Sequence, residues 1–373
     1  MKKKIHIALV GGQTMPIFLG IKESSPDEVL LVHSKKSLSE AKHIKELCSE
    51  KCQLLEFPPV DYEAIKISVE SLLDRLTDDE ITINLSGGTK PWALLFALQT
   101  QRMENVTLLY IDQNGICYDY TQQKKWRSKG LSMKEIMLYN GQPAERHTLL
   151  DDYTEDDFKA MRAIKAIRQY NFKEFKELTT PRKEGQIKIN NQSKGTLRTS
   201  NSSYIEWDKN ENRVTLSLYG RSGFKESTYE SPHIMQIIFN SGWFEYEVAQ
   251  MISQWEYAKE VWLNNIYPYN NKLPKNEIDV IINTGYKLLM VECKTQIYDN
   301  TDIDKFNTAA KNYGGLGSKA IFITDAKMRP EAIEKCSDSH ILSFSMKNFN
   351  NHHSAQETLF QLLNQELFYT NTR

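Results

Sequence analysis

The chain lacks what would place it outside a cell or across a membrane. Five cysteines in 373 residues are too sparse, and odd in number, for the disulfide framework of a secreted protein, so a reducing cytoplasm is expected. Cys48 and Cys52 have no second pair nearby to complete a zinc site and read as structural thiols. No run of about 18 apolar residues occurs, so no membrane span is expected. The opening "MKKKIHIALVGG" carries the charge of a secretion signal, but its apolar stretch is short and broken by His6, which fits a first strand instead. Excess charge is missing too: 47 Lys and Arg against 48 Asp and Glu leave a formal charge of -1. With no basic tail, any nucleic acid must be gripped locally. What is present, 40% hydrophobic and 25% charged residues, is a globular composition sufficient for roughly two or three domains of about 150 residues each.

In the first 145 residues, β-rich runs ("KIHIALV", "EVLLVHS", "CQLLEF", "ITINLS", "VTLLYID") alternate with helical patterns. This alternation predicts a doubly wound, mostly parallel sheet of order 3-2-1-4-5. In that order the first and fourth strands are neighbours, and ligands bind at the carboxyl ends of such strands. Both strands run into double glycines: Gly11-Gly12-Gln13-Thr14-Met15, and Ser86-Gly87-Gly88-Thr89-Lys90-Pro91. The second loop opens a helix, with a capping hydroxyl before Pro91, so its N–H groups and Lys90 favour an anion. It is not a Walker loop. That motif needs a Ser or Thr after the lysine to hold magnesium, and Pro91 stands there. Binding without nucleotide hydrolysis is the inference. The plainer alternative is that the glycines only permit tight turns and Lys90 is solvated.

Residues 146–232 combine a charged helical stretch with a polar, turn-rich one, and "SYIEW" and "RVTLSLY" predict a hairpin. The segment is expected to be a connector module of mixed structure. Lys194, Arg198, Tyr204, Trp207, Arg213 and Tyr219 have the chemistry to touch a single strand, although a solvated connector or a dimer contact explains them as well.

After Pro232 the pattern becomes αβββαβ. If "NEIDVIINTGYKLLMVECKTQ" is a hairpin closing about Gly285-Tyr286, then Asp279 faces Glu292 and Glu277 faces Lys294. Residues two apart share a face, so Asp279, Glu292, Lys294 and Gln296 project together. Two carboxylates and an ammonium are what metal-assisted phosphodiester hydrolysis requires: the acids hold Mg²⁺ or Mn²⁺, and the lysine orients or deprotonates a water. Glu247 on the preceding helix is expected to add a metal ligand. Glu245, roughly 200° away around that helix, is set aside. An edge-strand salt bridge between Glu292 and Lys294 is the plainer alternative.

These residues carry two resemblances. "EID…VECKTQ" resembles the PD-(D/E)xK restriction-endonuclease-like core, with Gln296 similar to its E-x-K-x-Q variant, though Ile278 stands in place of the motif's proline. "VGGQT" and "NLSGGTKPW" resemble CARF domains, the Rossmann-like sensors of cyclic oligoadenylates in type III CRISPR systems. Together they are similar to CRISPR ancillary nucleases activated by cyclic tetra-adenylate. The resemblance implies an N-terminal Rossmann-like CARF sensor (1–145), a connector (146–232) and a C-terminal restriction-endonuclease-like domain (233–373). It further implies a cytoplasmic, metal-dependent nuclease in antiviral defence that cuts single-stranded DNA and RNA, with no membrane partner. Catalysis falls to Asp279, Glu292, Lys294 and Gln296. Metal binding falls to Glu247, Asp279 and Glu292. The cyclic oligoadenylate falls to Gly12, Gln13, Thr14, Met15, Ser86, Gly87, Gly88, Thr89 and Lys90. A pseudo-symmetric ring suits a homodimer. Two other readings stay open: a restriction or repair nuclease for duplex DNA, and a regulator that binds nucleic acid without cutting it.

Overall fold

The computed structural model describes residues 2–267, 276–295, 301–315, 317–349 and 351–368. The chain divides into two compact units. Unit 1 is Met1–Pro143 together with the short segments Asn283–Leu288 and Tyr313–Ser318; unit 2 is the remainder.

Unit 1 is built from β1 (Lys4–Leu9), α1 (Met15–Ser24), β2 (Glu28–His33), α2 (Leu38–Leu47), β3 (Lys51–Glu56), α3 (Tyr62–Asp74), β4 (Glu80–Asn84), α4 (Lys90–Gln99), β5 (Val106–Ile111), β6 (Ile116–Asp119), β7 (Lys124–Arg127) and α5 (Met133–Tyr139). Its described strands run in the order β3-β2-β1-β4-β5-β6-β7. The first five are parallel, as the alternation predicts, and β6 and β7 extend the edge antiparallel. All six residues of β2 are buried, the pattern of a strand covered on both faces. The core between the sheet and α3 and α4 gathers Ile7, Leu9, Ile83, Val69, Trp92 and Phe96. The segment Asn283–Leu288 is tied in by polar bonds: Leu131 N–H donates to the Gly285 carbonyl at 2.8 Å, and the Tyr286 hydroxyl donates to the Ser128 carbonyl at 2.7 Å.

Unit 2 holds β8 (Arg146–Leu149), α6 (Glu155–Ile167), α7 (Phe172–Thr179), α8 (Lys183–Asn191), β9 (Lys194–Arg198), β10 (Tyr204–Asp208), β11 (Arg213–Gly220), β12 (Gly223–Glu230), α9 (Ile234–Ile238), α10 (Gly242–Ser253), β13 (Glu260–Tyr267), β14 (Asn276–Asn283), β15 (Leu288–Lys294), α11 (Thr301–Tyr313), β16 (Lys319–Thr324), α12 (Pro330–Asp338), β17 (Leu342–Ser345) and α13 (His352–Leu367). The described strands form two sheets, ordered β12-β11-β10-β9 and β17-β16-β15-β14-β13-β8. From α10 onward the order is the αβββαβ read from the sequence. The segment read as a connector is not a separate body. Ile164 of α6, Trp207 of β10 and Leu216 of β11 share one apolar core with Trp243 of α10, Val280 of β14 and Val291 of β15. Hydrophobic burial is cooperative over contiguous surface, so a segment whose apolar faces are completed only by α10 and the larger sheet cannot be a core of its own.

Candidate functional site

In unit 1, β1 and β4 are paired in parallel with Ala8 beside Asn84, which brings both glycine loops to one edge. The loops touch. A Cβ on Gly11 would meet Gly88 N at 2.9 Å, and one on Gly87 would meet the Leu9 carbonyl oxygen at 2.3 Å. Gly88 has φ +71 and closes the turn against Leu9 and Trp92, a conformation and an approach that a side chain would resist. A Cβ on Gly12, by contrast, meets nothing within 4 Å. Asn84 clamps the arrangement: fully buried, it donates to the Pro16 carbonyl at 3.0 Å and accepts from Ser86 N–H at 3.0 Å. Sequence reasoning did not single it out. The available signal was a polar residue ending the apolar run "ITIN".

The loop hydroxyls are not equivalent. Ser86 Oγ accepts from Ile111 N–H at 2.7 Å, and Thr89 caps α4 by accepting from Trp92 N–H at 3.4 Å. Each keeps its own O–H proton to donate. Thr14, at the start of α1, makes no capping bond with its side chain. Lys90 is exposed in the first turn of α4. The rim therefore offers helix-terminal N–H groups, hydroxyls and one cation, a set suited to phosphate oxygens.

In unit 2 the acidic residues gather around Lys294. β14 and β15 are neighbours joined through a turn in which Thr284 N–H donates to the Lys287 carbonyl at 3.1 Å. Lys294 Nζ lies 2.5 Å from Glu292 Oε1 and 3.9 Å from Asp279 Oδ2, and Asp279 Oδ2 also accepts from Cys293 N–H at 2.7 Å. Glu245, Glu277, Asp279 and Lys294 line one cleft. Burial, and then repulsion from Asp279, pushes the Glu292 carboxyl up to about 8. Asp279 is raised by burial against the opposing pull of Lys294 and Cys293 N–H. Glu245 and Glu277 are raised by loss of water and then by the charge of Asp279. Burial alone would lower Lys294, but Asp279 and Glu292 outweigh it and hold the ammonium charged.

The helix contributes a different acid from the one expected. Glu245, not Glu247, shares the cleft with Asp279. Glu247 is buried on the other side of α10, in an ion pair with Lys165 and 3.6 Å from His352 Nε2. Eight of the twelve residues of α10 are buried, Glu247 among them, and the less buried Gly242, Glu245, Gln250 and Ser253 fall on one face of the helix. Gly242 and Glu245, three apart and therefore on one face, both line the cleft. Gln296 lies outside the described residues. Among the proposed strand-contacting residues, Trp207 is an internal side chain: it is 3% exposed and donates to the Gln192 carbonyl at 3.2 Å. Lys194 pairs with Asp208 at 2.7 Å, Arg213 with Glu230 at 4.0 Å, and Arg198 sits over the Tyr204 ring.

Hard oxygen donors crowded around a single ammonium fit Mg²⁺ or Mn²⁺ in kind, since a divalent cation offsets the loss of water that raises these carboxyls and the repulsion that adds to it at Glu245, Glu277 and Glu292. Among the described residues no three His, Cys, Asp or Glu side chains are drawn together as a ready cage; here Asp279 and Glu292 hold Cys293 N–H and Lys294. Among the described residues, no helix is long and apolar enough to cross a membrane.

Comparison with known proteins gives the following. Residues 5–138 match the family model of the Card1 CARF domain. The fold is similar to Can2 from Sulfobacillus thermosulfidooxidans, solved in complex with cyclic tetra-adenylate, with a TM-score of 0.62 and 17% identity over 97% of this chain and 98% of that one. A crystal structure of a protein from Vibrio cholerae gives a TM-score of 0.68 at 14% identity over 96% and 97% of the two chains. A type III CRISPR defence DNA nuclease activated by cyclic oligoadenylate gives 0.53 at 12% identity, over 93% of this chain but only 48% of that one. No curated protein matches the chain by sequence.

Proposed function

From the premise that residues 5–138 form a CARF domain of the Card1 type, we propose that the chain is a metal-dependent nuclease switched on by cyclic tetra-adenylate, cutting single-stranded DNA and RNA in type III CRISPR defence. The observation that carries it is the convergence of Glu245, Asp279 and Lys294 in one cleft, with Glu292 held on Lys294. In this reading Gly12, Gln13, Thr14 and Met15, with Ser86 to Lys90, receive the ring. Its phosphates meet the N–H groups at the start of α4, the hydroxyls and Lys90, while Gly12 leaves room for close approach. A ring with internal symmetry is shared by two copies of the chain. Leu94 and Leu98, one turn apart on α4 and 62% and 52% exposed, supply apolar surface for that pairing on the helix that carries Lys90.

Asp279, Glu292 and Glu245 would hold Mg²⁺ or Mn²⁺, which when bound neutralises charge on the scissile phosphate and acidifies water. Lys294 keeps its proton beside two acids, so its Nζ serves as a charged donor that orients the phosphate oxygen or the attacking water, rather than as a base. The Cys293 N–H holds Asp279 Oδ2 in place, which fixes the carboxylate with little further reorganisation.

The test is incubation with Mg²⁺ or Mn²⁺ and a panel of cyclic oligoadenylates, with single-stranded DNA, RNA and supercoiled plasmid as substrates. Cleavage is expected only with metal and the tetra-adenylate together. It should be lost on chelation, and lost in Asp279→Ala, Glu292→Ala and Lys294→Ala proteins that still bind the ring. Cleavage in the absence of ring, or by the Asp279→Ala and Glu292→Ala proteins, overturns the proposal.

A further inference from the structure

We infer that the cleft beside the carboxylates is a recess for one unpaired nucleobase of the strand to be cut; this rests on the proposed nuclease reading. The cleft has a volume of about 670 Å³, within the range of roughly 300–1,000 Å³ typical of sites that enclose a small ligand. Its lining combines two chemistries: Glu245, Glu277, Asp279 and Lys294 on one hand, and on the other a set from the segment between β8 and α10 that carries no carboxylate. In that second set Met235 and Phe239 supply apolar surface, and the exposed Asn190 and Gln236 supply carboxamides, Gln236 Oε1 accepting from the Tyr153 hydroxyl at 3.4 Å. A carboxamide offers a donor and an acceptor side by side, the pairing that reads a base edge. In a duplex the Watson–Crick edges are engaged by the complementary strand, and only a splayed base presents that edge to an apolar, amide-lined recess.

Two further features fit a nucleotide. Lys209 lines the cleft and its Nζ donates to the Asn190 carbonyl at 3.0 Å, and an ammonium has further N–H donors with which to meet a phosphate. Asn264 lies where β13 shifts register against β8, with φ 52. A bulge of this kind re-aims a side chain, and asparagine is a residue that accepts the left-handed backbone such a bulge needs. Asn264 lines the cleft together with Glu245 and Asp279. Asn264 thus shares one lining with the amide set and the acidic set, and its amide is available to the sugar or base of a bound nucleotide.

The experiment uses the full chain carrying Lys294→Ala, with saturating cyclic tetra-adenylate and short fluorescent homopolymers of dA, dC, dG and dT, their ribose counterparts, and annealed duplexes. Asn264→Gly keeps the backbone conformation open and removes the amide with its hydrogen bond to Tyr153; it is combined with Gln236→Ala, and Tyr153→Phe, which removes the shared hydroxyl partner alone, is the control. The double variant is expected to lose about ten-fold or more in single-strand affinity, the loss of one or two polar contacts, and to discriminate less among the four bases. Duplex should bind more weakly than single strand to the parent protein. Deoxyribose and ribose series report which sugar the recess prefers. Unchanged affinity and unchanged base ranking in a double variant that still binds the ring overturn the recess, as does equal binding of duplex and single strand. The two readings fail separately. If the chain with Lys294 intact cuts nothing while the double variant still loses single-strand affinity, the nuclease reading falls and the recess stands; if it cuts and the double variant binds and cuts with the parent's base ranking, the recess alone falls.

Discussion

Glu245 and Glu247 lie on one helix, two residues apart, and meet opposite environments: Glu245 shares a cleft with Asp279, whereas Glu247 is buried against Lys165 and His352. The two substitutions should therefore fail differently. Glu245→Gln is expected to lower ring-dependent cleavage by about a hundred-fold or more at unchanged thermal stability, as loss of a transition-state interaction does. Glu247→Gln is expected to destabilise the fold by on the order of 1–3 kcal/mol, the cost of breaking a buried polar pair, while activity per folded molecule is kept. Melting curves beside initial rates separate the outcomes, and the reverse pattern would return the site to Glu247.

Ring binding is expected to depend on the start of α4. Thr89→Ala with Lys90→Ala should weaken cyclic tetra-adenylate by about ten-fold or more, roughly 1.5–3 kcal/mol for a charge-assisted contact. Calorimetry reads this directly. Equal affinity in the double variant would move the ring away from this loop.

Pairing of two copies is expected to run through Leu94 and Leu98. Leu94→Glu with Leu98→Glu places like charges on an apolar stripe and should give a monomer in sedimentation, with ring binding lost in proportion. A dimer that survives both changes excludes this helix face.

His6 gives a stability prediction with a definite sign. It is fully buried in β1, with Nδ1 2.9 Å from Ser24 Oγ, and burial lowers it to about 3. A folded-state value below the unfolded one means that the unfolded chain takes up a proton first as the pH falls. The stabilisation is complete above about pH 6.5 and is lost progressively from there down to pH 3. Between pH 6.5 and 5 the loss is about 2 kcal/mol. Denaturant titrations of wild type and His6→Gln at both pH values test it: the gap between the two proteins should narrow on acidification, and a constant gap refutes the assignment.

Much of the chain was legible as sequence because its signals are local. Strand alternation, the glycines at two strand ends, the cap at Thr89 and the Glu292–Lys294 spacing depend on backbone period and on neighbours a few residues away. They yielded the parallel order of β1 to β5 and the gathering of Asp279, Glu292 and Lys294. What tertiary structure alone decided depends on partners far off in the chain. Which acid of α10 meets the cleft was settled by distant partners: Glu247 is taken up by Lys165 of α6 and His352 of α13, which leaves Glu245 to the cleft. Trp207 became core because Gly195 and Phe239 close over its ring, and segment 146–232 became part of unit 2 because its apolar faces are completed only by α10 and the strands beyond it. Asn84 holds two loops together across 68 residues of sequence, and a buried hydrogen bond of that span leaves no periodic trace: its strength comes from exclusion of water, which only the folded chain provides.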